Sequence, residues 1–133
     1  MSAITKSLSL TSLAFLVLFL IAGCGVADGG KITARDILKQ NKDADIIQYD
    51  GHIFSNVTNL EWFEDDKEEI SFSKNNFQAE IKKQTTSTWF FNDLSATKLP
   101  KGTKVYSLDR TRRGMLIVEY EGEILYYMEL LKG

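Results

Sequence analysis

A chain of 133 residues with 44% hydrophobic and 26% charged side chains has the length of one domain and a composition that excludes wholesale disorder. Beyond the apolar N-terminal stretch it carries 15 basic and 18 acidic residues, a formal charge of −3. That balance excludes a general nucleic-acid binder, which needs a surplus of Lys and Arg to displace phosphate counterions. Cys24 is the only cysteine, so an intrachain disulfide and a multi-cysteine metal site are excluded as well.

The first element in chain order is a polar start containing Lys6, then an apolar run from Leu13 to Ile21, then Ile21-Ala22-Gly23-Cys24. This is the tripartite layout of a secretory signal. The uninterrupted run is about half the roughly 20 residues that a spanning helix requires, and small residues follow it in place of a basic stop-transfer patch. The four residues ending in Cys24 resemble the lipobox of bacterial lipoproteins, with Ile21 where that family usually has Leu. The resemblance implies cleavage between Gly23 and Cys24 and lipidation of the Cys24 thiol with acyl chains such as palmitate. Small side chains beside the scissile bond let a peptidase hold an extended backbone, and a thiolate is the nucleophile that forms the thioether. An ordinary signal peptide with an incidental cysteine and an uncleaved anchor are the alternatives. The expected organisation is a signal peptide over 1–23, a lipidated flexible tether over 24–31 and one small domain over 32–133. The expected location is the extracytoplasmic face of the cell membrane, with the lipid bilayer as partner through Cys24.

Within the domain, Thr33 as N-cap with Asp36 three residues on, and Ile37 and Leu38 as an apolar stripe, predict a short helix from about Ala34 to Lys42. Ala44 to Tyr49 and His52 to Val57 flank Asp50-Gly51, the dipeptide favoured by a two-residue type I′ hairpin turn. Glu61 to Glu69 is strongly acidic and reads as a helical turn or loop leading to a strand at about Ile70 to Ser73. Phe77, Ala79 and Ile81 alternate with Gln78, Glu80 and Lys82, the period of a half-buried strand. Lys83 to Thr88 reads as a loop, and Trp89 to Asn92 as a short strand ended by Asn92-Asp93. Ala96 to Leu99 and Thr103 to Leu108 are separated by a turn at Pro100-Lys101-Gly102. A basic loop from Asp109 to Arg113 leads to a second hairpin, Met115 to Tyr120 and Glu123 to Leu130 around Glu121-Gly122. The class expected is α+β: mostly antiparallel strands in a small curled sheet or partly closed barrel, with one short N-terminal helix.

The run Lys98-Leu99-Pro100-Lys101-Gly102-Thr103-Lys104-Val105-Tyr106, followed by Leu116 to Glu123, resembles the layout of bacterial SH3-type barrels, and implies that geometry for the last third of the chain without a binding site. More broadly, Asp43-Ala44-Asp45-Ile46 through Tyr49-Asp50-Gly51, Ile53, Glu61-Trp62, Glu80-Ile81, Ala96-Thr97-Lys98-Leu99-Pro100 and the Tyr-rich end resemble a family of small envelope proteins of spore-forming Gram-positive bacteria. That resemblance implies an address and no activity.

Few residues carry a chemical signal. His52 is the only histidine and has no Ser or Cys in a nucleophile context to serve, so it reads as a surface histidine beside a turn and no catalytic residue is assigned. Glu61, Glu64, Asp65, Asp66, Glu68 and Glu69 lack the alternating ligand spacing and central Gly of a calcium loop, so they read as a solvated face, and neither metal nor cofactor is expected. Arg110, Arg112 and Arg113, with Lys101 and Lys104 on a neighbouring turn, form the one compact basic feature singled out. Guanidinium forks suit the phosphates of lipid headgroups and wall polymers. Among the aromatics, Trp62 and Trp89 are candidates for glycan or peptide binding if they are exposed. The function expected is a non-enzymatic accessory or interaction domain at the cell envelope with an envelope protein as partner. The alternative is a wall-polymer or small-ligand binding module using an aromatic and basic groove.

Overall fold

The structure, a computed structural model, describes residues 31–108 and 114–131. The chain divides into two units, Met1–Lys31 and Ile32–Gly133, and every element described here lies in the second. Gly23, Cys24, Arg110, Arg112 and Arg113 fall outside the described residues.

Helix α1 spans Ala34–Gln40. Thr33 Oγ1 accepts from the Asp36 N–H at 3.2 Å while Asp36 Oδ2 accepts from the Thr33 N–H at 3.1 Å, so each satisfies a donor that the helix start leaves over. Strands β1 (Ile46–Tyr49) and β2 (His52–Asn56) pair antiparallel. Their turn has positive φ at both Asp50 (50°) and Gly51 (78°), the type I′ geometry that the dipeptide predicts. A 3₁₀ turn, Glu61–Phe63, runs into α2, Glu64–Glu69, and a second, Lys74–Asn76, precedes β3 (Phe77–Glu80). The remaining strands are β4 (Lys83–Gln84), β5 (Ser95–Ala96), β6 (Lys104–Ser107), β7 (Met115–Tyr120) and β8 (Glu123–Glu129). The β7–β8 turn repeats the type I′ geometry, with φ of 51° at Glu121 and 78° at Gly122.

The eight strands of the described residues form one mixed sheet in the order β3-β6-β7-β8-β2-β1-β5-β4, antiparallel except for the β4–β5 pair. The two edge strands, β3 and β4, are separated in the chain only by Ile81-Lys82. Three Cα steps cover at most about 11 Å, so a flat sheet of this order is impossible and the sheet must curl. The closing residues are bonded to both sides: the Ile81 N–H donates to Thr103 O at 2.8 Å, and the Lys82 N–H donates to Leu94 O at 2.8 Å. The result is an α+β half-barrel. Leu94 holds a φ of 65°, which costs a bulky residue about 1–2 kcal/mol, while its own N–H donates to Gln48 O and its carbonyl serves the closing segment.

Because successive strand residues face opposite sides, neighbouring apolar residues go to different clusters. Ile47, Phe54, Val118 and Tyr127 point into the concave side with Ile81, Ala96, Leu99, Val105 and Leu116. Ile46 and Ile53 point outward and are covered by Ala34 and Leu38 of α1 and by Phe91. Ile117 and Tyr126 also point outward, and are covered by Phe63, Tyr106, Leu108 and the half-buried Ile70 and Phe72. Thus α1 caps one stretch of the convex face and the acidic segment caps another.

Four sequence expectations are corrected. Ile70 to Ser73 forms no strand; Ile70 and Phe72 are half-buried against the core, but among the described residues no strand pairs with them. Lys83-Gln84 is a short strand rather than loop, drawn into parallel pairing with β5 by the closure of the sheet. Trp89-Phe90 is a turn followed by irregular Phe91-Asn92, and the stretch adds no strand. In β3 the register slips between Phe77 and Ala79, so Phe77 stays 48% exposed while Ile81 is 1% exposed, which breaks the simple alternation.

Candidate functional site

The most chemically distinctive surface is built by α1 and the 85–91 loop. Arg35 and Lys39 lie four residues apart, on the solvent side of a helix whose Ala34 and Leu38 are buried, and Lys42 follows one turn later. The loop reaches this helix because Phe91 is buried against Ala34 and Leu38. Between them lies an open concavity of about 550 Å³ lined by Arg35, Leu38, Lys39, Lys42, Thr86 and Thr88. Its floor is the apolar Leu38 and its rim is cationic.

The next two loop residues are the conspicuous ones. Trp89 is 87% exposed and Phe90 is 69% exposed, where aromatic side chains of this size are ordinarily buried for the most part. The turn that carries them is held from behind. Lys83 Nζ donates to the Phe90 carbonyl and sits 6.0 Å from the centre of its ring. The Ser87 N–H donates to Thr85 Oγ1 at 3.0 Å, and the Asn92 N–H donates to Ser95 Oγ at 3.1 Å. Among the described residues no ion pair involves Arg35, Lys39 or Lys42. The same segment carries two acids, Asp43 beside Lys42 and Asp36, and the Asp36 carboxyl lies below its ordinary range because the Thr33 N–H and hydroxyl donate to it, with the Lys39 and Arg35 charges adding to the effect. That carboxylate is committed to the helix cap.

The residues singled out from the sequence are dispersed. His52 Nδ1 lies 2.8 Å from Glu129 Oε1 across the β2–β8 pair, one carboxylate on a partly exposed strand surface. The acidic residues of α2 are all exposed, and among the described residues no group of three His, Cys, Asp or Glu is placed to hold a metal. Lys101 and Lys104 line a different concavity, of about 490 Å³, with Lys74, Glu119, Tyr120 and Glu121. Its charges are mixed: Lys74 Nζ lies 3.8 Å from Glu119, and the Glu121 carboxylate pushes the Tyr120 phenol up. Trp62 is exposed at 59%, edge-on to the buried Phe63.

One buried polar cluster escaped the sequence reading. Tyr127 is fully buried and donates through its hydroxyl to Asp45 Oδ1 at 2.8 Å, while Asn56 Nδ2 donates to Asp45 Oδ2 at 2.8 Å. Burial first, and then the Asp45 charge, push the Tyr127 phenol far up, so it is a permanent donor. The cluster ties β8 to the β1–β2 hairpin, and its bonds favour one strand register. The α1 cations also went unremarked in the sequence, although their spacing, i and i+4 with the apolar Leu38 between them, is a legible signal. What is not local is the meeting of α1 with a loop some 50 residues away.

No protein-family model, curated protein or solved structure matches this chain.

Proposed function

We propose that the protein is a membrane-anchored extracytoplasmic lipoprotein whose half-barrel domain is a non-enzymatic accessory or interaction module of the cell envelope. The observation that carries this reading is Ile21-Ala22-Gly23-Cys24 closing an apolar run too short to span. Each acyl methylene inserted contributes about 0.8 kcal/mol, so two chains on Cys24 anchor stably where one does not. His52, the only histidine, lies 2.8 Å from Glu129, and on this reading the pair has a structural role between strands. For the domain itself we infer a partly closed barrel of SH3 type, supported by the β6–β7–β8 meander and the two-residue junction between the edge strands.

The second reading is a binding module for a wall polymer or small anionic ligand, favoured by the cationic concavity at Arg35, Lys39 and Lys42 beside Trp89. The address is tested by expressing the parent and Cys24→Ala in a Gram-positive host and measuring membrane partition and intact mass. The expected result is a lipid-modified, processed parent and an unlipidated mutant precursor. Equal masses and equal partition would end the lipoprotein reading. Crosslinking in membranes then asks whether one envelope protein is captured reproducibly.

A further inference from the structure

We infer that the α1 face, comprising Arg35, Lys39 and Lys42 with the Trp89-Phe90 turn, docks the domain flat onto an anionic phospholipid surface. The inference rests on the reading of Cys24 as the lipid anchor, and names the partner of the face that the anchored domain turns to the bilayer.

Charge complementarity is the first argument. Three exposed cations surround one concavity and none is in an ion pair among the described residues; of the two acids in the same segment, Asp36 is engaged by Thr33 and Asp43 follows Lys42, so Lys31, Arg35, Lys39 and Lys42 still leave the segment net positive. Basic residues held close to an anionic leaflet are attracted to it, and the attraction fades within a Debye length. The second argument is the apolar payload. Trp89 and Phe90 are exposed on a turn braced by Lys83 and by the buried Phe91. Exposed aromatics next to cations are the composition of an interfacial contact, in which rings sit at headgroup level and cations meet phosphate.

The third argument is distance. Eight chain steps separate Cys24 from Ile32, a reach of at most about 28 Å. A tether of that length lets α1, the first described element of the domain, reach the headgroups when Cys24 is anchored. The exposed acids of α2 belong to a different segment, which covers another stretch of the convex face, so the α1 concavity is not lined by them.

The chain has two tryptophans, and Trp62→Phe leaves Trp89 as the only indole. The test reconstitutes the full-length expressed, lipid-modified protein, its Cys24 modification first verified by intact mass, into vesicles of phosphatidylcholine alone or with phosphatidylglycerol, each containing a brominated-acyl lipid quencher. Trp89 is expected to be quenched in the phosphatidylglycerol vesicles and released by high salt, while a Trp89→Phe protein reporting from Trp62 is unaffected. Arg35→Gln, Lys39→Gln and Lys42→Gln together should lower the docked-to-undocked ratio by about tenfold to a hundredfold, with unchanged circular dichroism; if that triple variant unfolds, the single Lys39→Gln and the salt titration carry the comparison. A lipidated protein whose Trp89 stays unquenched, or is quenched equally without phosphatidylglycerol, overturns the docking face and leaves the address standing. Protection of Trp89 by a purified anionic wall polymer, but not by phosphatidylglycerol vesicles, overturns it in favour of polymer binding. Quenching of Trp89 in a chain that carries no lipid on Cys24 supports the face while the address fails.

Discussion

The two short helices are built on opposite plans. Helix α1 has a side-chain cap reciprocated by Asp36 and buries two of its own residues, Ala34 and Leu38. Helix α2, with the sequence Glu-Asp-Asp-Lys-Glu-Glu, has no side-chain cap and buries none. Both are below the length at which an isolated helix persists in water, so each needs stabilisation from outside. For α1 it comes from its own apolar face, which leaves the other face free to carry cations. For α2 it comes mainly from the flanks, Phe63 before it and Ile70 and Phe72 after it, with one bond from the helix itself, Lys67 Nζ donating to Thr58 O at 3.1 Å. The lesson is that α1 holds its solvent-facing residues in a defined frame, whereas the acids of α2 are a solvated cover over a core to which they contribute nothing.

Removing the supports should separate the two plans. The largest effect is expected at Phe63→Ala, since the ring is completely buried and packs 5.4 Å from Tyr126, centre to centre. Loss of such a ring costs about 3–5 kcal/mol, and urea unfolding should register most of a small domain's stability disappearing. A loss below 1 kcal/mol would mean that α2 does not depend on this flank. Leu38→Ala should cost about 2–3 kcal/mol and loosen Phe91 as well, shifting Trp89 emission. Were the stability to fall with Trp89 emission unmoved, α1 and the loop would not be one unit. Thr33→Ala removes the cap and should cost about 1 kcal/mol, read as a lower urea midpoint at unchanged slope.

The contrast also explains what was legible in the sequence. The α1 cap and both hairpin turns follow from residues three or fewer apart, because a capping box and a pair of positive-φ positions are local requirements met by Thr33 and Asp36, Asp50-Gly51 and Glu121-Gly122. The closure of the sheet is different in kind. Lys83-Gln84 becomes a strand only because Ile81-Lys82 brings it beside β5, and nothing in those two polar residues announces it. Ile70 to Ser73 shows the reverse: a strand-like alternation of apolar residues that packs onto the core but has no strand to pair with. The candidate face was half legible. Arg35 and Lys39 display their spacing openly, but the Trp89-Phe90 turn reads as another strand until Phe91 is seen to pin it to the helix.

The smallest expected effect tests the cap electrostatically. Two bonds from Thr33, one from its N–H and one from its hydroxyl, hold the Asp36 carboxyl below the ordinary value of about 3.9. A carboxyl with a lowered pKa in the folded state releases its proton more readily there than in the unfolded chain, so it adds stability above the unfolded value and loses it as pH falls through the folded one. The parent should therefore lose stability below about pH 4 more steeply than Asp36→Asn, which has no proton to take up at this position. Thr33→Ala, stripped of the hydroxyl, should fall between the two. Because Asp36 is exposed, solvent and salt reduce the difference, and raising the ionic strength should shrink it mainly through the Lys39 and Arg35 contributions. In α2, Glu64 has no capping partner and meets Lys67 in an exposed ion pair at 4.0 Å, so Glu64→Gln should change stability by no more than about a few tenths of a kcal/mol across the same range. Parallel acid profiles for the parent and Asp36→Asn would show that the cap holds α1 through geometry alone, and the contrast between the helices would then rest entirely on Leu38 and Ala34.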